Sequence, residues 1–486
     1  MRKALEMNEK NVALLCDFYE FTMGNGYFLT GKTDKSACFD VYFRKVPDGG
    51  GYVIAAGLDA IIDFIDNLKF TDEDIEMLRN KKIFDEGFLS YLKNFKFECD
   101  VYAVPEGTPV FPNEPIITVK GPAVQAQFLE TMLLLLTNHQ SLIATKASRI
   151  CRAAAGRPVF EFGTRRAQGT NAAVMGARAA YIGGCMGTAC AICESLYGIP
   201  AVGTMAHSWV QMYDSELEAF EEYARLYPDN CTLLIDTYNV LKSGVPNAIK
   251  TYEEVLRPLG KRLAGVRIDS GDVAYLTKKT RKMLDDAGLT DCKIFVSNSL
   301  DEYIIRDILN QGAVIDFFGV GERLITSKSE PVLGGVYKLV AAENDKGELV
   351  PKIKLSENVE KITTPGYKEV YRLYSNTTGK MVADLIALKD ETFDFTKPIT
   401  LFHPQFTWKK KTFENYTAVK LLKPIYLKGK KVYTSPEIGE IKNYCNEQIG
   451  KLWDELVRFE NPEEYYVDLS QKLWDTKHEL LNKGRI

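Results

Sequence analysis

"LAGVRIDSGDVAYLTKKTRKML", residues 263–284, runs from an apolar stretch through small and acidic residues into a helical pattern. Asp269, Ser270 and Gly271 stand at the junction, where a strand ends and a helix begins. Free backbone N–H groups and the positive end of the helix dipole make such a junction suited to an anion. A plain Asp/Ser helix cap accounts for the same residues. Under either reading the unit is strand, tight turn, helix.

Five more runs of this kind occur. They are "PVFEFGTRR" (158–166), "IPAVGTMAH" (199–207), "CTLLIDTYN" (231–239), "KIFVSNSLDE" (293–302) and "VIDFFGVGERL" (314–324). Equivalent points lie roughly 20–45 residues apart, the length of a strand plus a crossover helix. Strand–helix units in succession predict a parallel sheet. An open twisted sheet would use few of its strand ends for a ligand. Here nearly every run ends in a residue able to do chemistry: Arg165, His207, Asp236, Asp269, Asn298 and Gly319 with Gly321. Only a closed or nearly closed ring brings those ends to one mouth, so the expected fold is α/β, an irregular (β/α) TIM-like barrel.

The flanks differ in texture. "ACFDVYFRKVP" (37–47) and "ECDVYAVPEGTPVFPNEPIITVKGP" (98–122) alternate like half-exposed strands, and residues 124–154 read as one long helix or two. Strand-and-turn texture returns after Leu339. The expected organisation is an α+β, sandwich-like domain built from both termini (1–120 and 341–434), a barrel over 121–340 and a helical tail over 435–486.

Composition sets the boundaries of function. The 486 residues carry a net charge of −4, with 45% hydrophobic and 26% charged residues, which offers no basic field for nucleic acid or an anionic membrane. Ten dispersed cysteines are expected to be reduced thiols, and the charged N-terminus lacks a signal-peptide core, so a cytoplasmic protein is expected. The apolar stretch 131–145 contains Asn138, His139 and Gln140 and is too short to span a bilayer.

Single residues leave alternatives open. His207 is one of four histidines and is either a catalyst at a strand end or a buried imidazole. Arg165 and Arg166 are neighbours on an extended segment, one facing the mouth to meet a carboxylate, or else both form structural ion pairs. Ser299 and Glu302 have capping-box spacing, leaving Ser297 and Asn298 for the mouth. Cys190 and Cys193 read as packing thiols, His139 as a core histidine, and His403 and His478 lack catalytic context.

Together "LLCDFYEFTMGNGYF" (14–28), "EFGTRRAQG" (161–169), "GTMAHSWVQ" (203–211), "LLIDTYNV" (233–240), "GVRIDSGD" (265–272), "VSNSLDEYII" (296–305) and "FGVGERLITS" (318–327) resemble the nicotinate phosphoribosyltransferase family, and "PVLGGVYKLV" (331–340) continues the match. The resemblance implies transfer of phosphoribose from 5-phosphoribosyl 1-pyrophosphate to nicotinate, coupled to ATP through a phosphorylated His207. Catalysis would involve His207, Asp269 and Asp236. Nicotinate would meet Tyr19, Phe162, Arg165, Thr204 and Ser208, with Tyr19 supplied by the partner subunit of a homodimer. The phosphates would meet Arg267, Ser270, Gly271, Asn298, Gly319, Gly321 and Glu322. Mg2+ would arrive with the pyrophosphate, Asp236 or Asp269 being its candidate ligands. Two rivals remain: the nicotinamide-specific enzyme, which uses an aspartate that "YIGGCMGTAC" (181–190) lacks, and an inactive metabolite-binding homologue, which predicts losses at His207, Asp269 or Arg165, all present.

Overall fold

The computed structural model describes residues 12–483. Two compact units emerge, one formed by the chain up to Leu142 together with Val332 onward, the other by Ile143–Pro331.

In the first unit a seven-stranded sheet runs in the order Leu349–Pro351, Val336–Glu343, Ser36–Tyr42, Ile117–Pro122, Asp100–Ala103, Lys423–Leu427, Lys430–Lys431. Every pairing in it is antiparallel. Ser36–Tyr42 is buried from Ala37 to its end, not half-exposed as its alternation suggested, because it lies between two other strands and packs on both faces. Between the strands sit three short helices, Leu58–Asn67, Asp72–Arg79 and Glu86–Lys93. Two of them begin on sequence-readable caps: Thr71 forms a capping box with Asp74, and Asp85 accepts from the Gly87 amide. A second sheet, Tyr416–Lys420, Lys368–Ser375, Met381–Leu388 and Val467–Leu469, ends in a parallel strand from the segment expected to be a helical tail. At its centre Arg372, wholly buried, is forked onto Asp384 and donates to the Pro109 carbonyl at 2.7 Å.

The stretch 124–154 forms two helices, Ala123–Gln127 and Glu130–Ala153. Its His139, expected as a core histidine, is half-buried, with Nε2 lacking a hydrogen-bond partner among the described residues and its pKa lowered by burial. No helix among the described residues is long and apolar enough to cross a membrane.

The second unit carries the parallel sheet. Its strands are β1 (Val159–Glu161), β2 (Thr232–Leu234), β3 (Gly265–Ile268), β4 (Lys293–Asn298) and β5 (Phe317–Val320), in the order β1-β5-β4-β3-β2. Single parallel bridges add Thr188 beside Glu161 and Ala201 beside Thr188. The order therefore returns on itself through β5 and β1. It stays open at one seam, because among the described residues no backbone ladder joins Ala201 to β2. The run 199–207 supplies only that one bridge before its glycine and small residues turn away from the sheet.

Candidate active site

The ends of β2, β3 and β4 bring together the residues singled out above. After β2 the chain turns through Asp236 and Thr237, after β3 through Asp269, Ser270 and Gly271, and β4 ends at Ser297 and Asn298. The Asp236 carboxylate ties two of these turns, accepting from the Asp269 amide at 2.9 Å and the Ser270 hydroxyl at 2.6 Å. Its other oxygen, Oδ1, is buried with no hydrogen-bond partner. Neither Asp269 nor Ser270 caps the helix α2 (Val273–Asp286), since Asp272 does so by accepting from the Tyr275 amide at 2.9 Å. The anion-site reading of the turn therefore keeps its residues free of the cap.

Arg267 is the hub. Its Nε donates to Ser297 at 2.7 Å, one terminal nitrogen to Asp269 Oδ1 at 3.1 Å, and the other to Thr204 at 3.4 Å and the Met205 carbonyl at 3.3 Å. The Ser297 hydroxyl in turn donates to Asp269 Oδ1 at 2.5 Å. The guanidinium, expected to hold phosphate, thus spends four of its five N–H groups within the protein and lies 5.6 Å from the centre of the Phe162 ring.

His207 opens the short helix α1 (His207–Gln211) across the seam from β2. Nδ1 lies 3.1 Å from the Thr237 hydroxyl, and Nε2 faces Asp269 Oδ2 at 3.9 Å. The ring is 41% exposed, which rules out the buried-imidazole alternative and leaves Nε2 reachable by a ligand. Ser208 is exposed beside it.

At the end of β1, Phe162 packs edge-on against Phe295 at 5.5 Å. Gly319 makes room for that ring, as a Cβ there would sit 2.9 Å from Phe162 Cδ2. Its missing side chain thus serves an aromatic contact as much as any phosphate. A Cβ on Gly321 would likewise sit 3.1 Å from the Phe162 carbonyl oxygen. Arg165 and Arg166 lie on a 3₁₀ turn, Thr164–Arg166, not on an extended segment, and both are exposed. Among the described residues neither forms an ion pair, so the structural-pair alternative fails and Arg165 is a free cation. Asn298 Oδ1 accepts from the Ser299 amide at 2.6 Å, and Glu322, at the start of α4 (Glu322–Ile325), pairs with Lys328 at 2.6 Å.

The capping box expected at Ser299 and Glu302 is not formed. Asp301 caps α3 (Glu302–Asn310) by accepting from the amides of Tyr303 and Ile304. Glu302 is fully buried and pairs with Lys146 at 2.9 Å and Arg149 at 2.8 Å. Burial of that carboxylate requires its two cations, and they override the local spacing. Cys190 and Cys193 are buried thiols, with Cys193 pushed up to about 12 by burial.

Two residues that sequence reasoning passed over help to build the site. Thr237 touches the histidine. Glu161, wholly buried with its pKa raised by desolvation, accepts from the Gly163 amide and, at 2.6 Å, from the Thr188 hydroxyl. It thereby joins the turn bearing Arg165 to the segment 181–190. Both residues lie within quoted motifs, but their partners are distant in sequence. Tyr19 belongs to the first unit, on the helix Phe18–Leu29, and is 42% exposed.

No cluster of three or more metal-ligating side chains occurs among the described residues. The unpartnered Asp236 Oδ1 and the outer oxygen of Asp269 fit instead the mode usual for Mg2+, one or two carboxylates with phosphate oxygens completing the shell.

Comparison with known proteins adds a second line of support. Family models described as the N-terminal domain, the family proper and the C-terminal domain of nicotinate phosphoribosyltransferase match residues 14–138, 158–363 and 367–477. The nicotinate phosphoribosyltransferase of Bacillus subtilis is 44% identical over 98% of this chain and 97% of its own. The human protein of that name is 30% identical over 95% of each chain. A crystal structure titled human nicotinic acid phosphoribosyltransferase superposes with a TM-score of 0.83 at 27% identity, covering 96% of this chain and 100% of that one. The mixed α/β fold is thus shared over nearly the whole length.

Proposed function

We propose a reaction from the premise that this chain belongs to the nicotinate phosphoribosyltransferase family: phosphoribosyl transfer from 5-phosphoribosyl 1-pyrophosphate to nicotinate, giving nicotinate mononucleotide and pyrophosphate for NAD salvage. The observation that carries the reading is the cluster of His207, Asp236, Asp269, Arg267 and Ser297 on adjacent strand ends. We read the seven parallel positions, which follow chain order around the ring, as the irregular barrel that gathers them.

The pyridine nitrogen forms a bond to the anomeric carbon as the bond to the pyrophosphate oxygen breaks. The nucleophile supplies its own lone pair and loses no proton, so the protein's part is positioning and charge stabilisation. Phe162 takes one face of the pyridine ring and Tyr19, from a partner subunit of a homodimer, the other. Arg165 is free to offer its planar fork to the nicotinate carboxylate, with Thr204 and Ser208 nearby. Asp236 and Asp269 address ribose hydroxyls and the Mg2+ that enters with the pyrophosphate. Arg267 fixes Asp269 and Ser297 and adds positive charge behind them. Ser270, Gly271, Asn298, Gly321 and the start of α4 at Glu322 face the phosphates, with Gly319 shaping the floor.

ATP enters as a co-substrate. When the imidazole proton sits on Nδ1 and is donated to Thr237, Nε2 keeps its lone pair and can attack the terminal phosphorus, with ADP departing. The test is an assay of the purified protein with nicotinate, 5-phosphoribosyl 1-pyrophosphate and Mg2+, with and without ATP, following nicotinate mononucleotide and ADP together. Product from nicotinate with ADP alongside is the expected result, with His207→Ala keeping basal transfer and losing the ATP effect. Reaction with nicotinamide alone refutes the acid specificity, and no reaction with either refutes the enzyme.

A further inference from the structure

The first unit encloses a cavity of about 1350 Å³. Its walls come from the strands Ser36–Tyr42, Lys410–Phe413 and Val467–Leu469 and the helix Gln471–Lys483. None of the residues assigned above to nicotinate, ribose or phosphate lines it.

Two of its lining residues are oppositely charged and poorly hydrated, and neither has a charged partner. Lys477 donates only to the Thr364 hydroxyl, at 3.3 Å, and among the described residues no carboxylate pairs with it. Burial, reinforced by the nearby Lys368, pushes its pKa down to about 8. Lys368 leaves no acid to spare, since it holds Asp40 at 2.8 Å and the carbonyls of Thr364 and Gly366 at 2.8 and 2.7 Å. Asp468, 5% exposed, accepts no hydrogen bond from a described residue, and burial raises its carboxyl to about 6. A desolvated charge without a partner is costly, and a protein normally pairs it or neutralises it. These two are not paired even with each other, so a ligand that brings an anion to Lys477 and hydrogen-bond donors to Asp468 would relieve both.

The rest of the wall narrows the chemistry. Flat rings line it: Trp474 and His478 stack at 3.5 Å between centres, and Phe111 and Tyr465 at 3.8 Å. At the rim Lys409, Lys410 and Lys411 follow one another, all exposed, against Glu463 and Glu464. A deep cation, a basic rim, an acceptor and aromatic faces suit a planar heterocycle carrying both amino groups and a phosphate. The volume exceeds the ~300–1,000 Å³ usual for small-ligand sites, so size poses no obstacle.

We infer that this cavity is a second ligand site, binding a nucleoside phosphate with its phosphate on Lys477 and the amino edge of its base on Asp468. The inference uses no step of the transfer reaction and stands or falls apart from it.

The test is calorimetric titration of the full-length protein with AMP, repeated on Lys477→Met and Asp468→Asn. Asp468→Asn is isosteric and keeps the test valid should the lysine variant fold poorly. The expected result is at least tenfold weaker AMP binding in each variant, with kcat for transfer unchanged in the absence of AMP. A second readout is acylation of Lys477 at pH 8, followed by mass spectrometry, which AMP should suppress. Equal AMP affinity in all three proteins overturns the inference, as does no AMP binding at all. Protection of Lys477 by inorganic phosphate at the same concentration as AMP overturns the nucleoside part and reduces the site to an anion hole.

Discussion

Thr237 lies 3.1 Å from one imidazole nitrogen of His207, and Asp269 faces the other at 3.9 Å. A hydroxyl can donate or accept, so Thr237 suits either tautomer of His207 and fixes the ring plane in both. On the proposed chemistry Thr237→Val is expected to cut the ATP-dependent stimulation about tenfold, the scale of one lost hydrogen bond. Basal transfer should stay, and Thr237→Ser should restore the stimulation. Equal ATP-dependent rates for the valine and serine variants would show the contact to be structural. Gly319→Ala gives a second expectation, since its Cβ would press on Phe162 at 2.9 Å and Phe295 at 3.0 Å. The KM for nicotinate should rise about five- to tenfold, with that for 5-phosphoribosyl 1-pyrophosphate nearly unchanged. At this scale the sequence showed which residue types gather at strand ends: His207, Asp236, Asp269 and Arg165 were all legible. It could not show that Arg267 spends its fork on Ser297 and Thr204 as well as on neighbouring Asp269, because those two residues are 30 and 63 positions away along the chain.

Single elements were read unevenly. β3 with its turn and α2 was legible because apolar run, small turn and amphipathic helix follow in order. The three helices between residues 58 and 93 were missed although "TDED" at 71–74 carries a capping box, because aromatic strands on either side dominate the texture. Ser299 and Glu302 matched a local motif that a buried salt bridge outweighs. In the β3–α2 turn Gly271 has φ +84° and a Cβ there would meet Leu276 at 2.8 Å. Gly271→Ala is therefore expected to destabilise by about 1–2 kcal/mol, read as a lower midpoint in denaturant. It should also weaken binding of the phosphorylated substrate, since the turn carries Ser270. An unchanged midpoint would mean that the turn relaxes freely.

For the whole molecule, stability rests on buried charge as well as on apolar packing. Arg372 and Asp384 are both fully buried, with Glu114 3.6 Å from the guanidinium and its carboxyl held well above the usual range by burial and by Asp384. Removing the arginine strands two acids, so Arg372→Met is expected to cost about 3–5 kcal/mol in chemical unfolding, and an unchanged midpoint would refute that. Glu20 gives a pH signature. Burial pushes its carboxyl up to about 7 while the unfolded chain keeps an ordinary value, so the folded state binds the extra proton between those values. Its contribution to stability therefore falls as pH rises through that window. The gain in Tm of Glu20→Gln over the parent should widen from pH 5 to pH 8, and a constant difference would refute the raised pKa. At this scale composition shows only that the chain has no strong basic excess, and neither buried cluster was foreseeable, because a charged residue's depth is set by topology.

The opening between Ala201 and β2 has a mechanical consequence. Ladders join β1 to β5, β5 to β4, β4 to β3 and β3 to β2, and single bridges join Thr188 to Glu161 and Ala201 to Thr188, whereas among the described residues the hydrogen bonds across this gap come from side chains: His207 to Thr237, and Arg267 to Thr204 and the Met205 carbonyl. On the proposed chemistry, a histidine that gains and loses a phosphoryl group must change its neighbours in each cycle. Placed at this opening it can do so without breaking a sheet hydrogen bond, so the chain keeps its compliance where the chemistry needs it. Hydrogen–deuterium exchange should find the amides of residues 203–206 exchanging far faster than those of β3 and β4, and slowing when the histidine is modified.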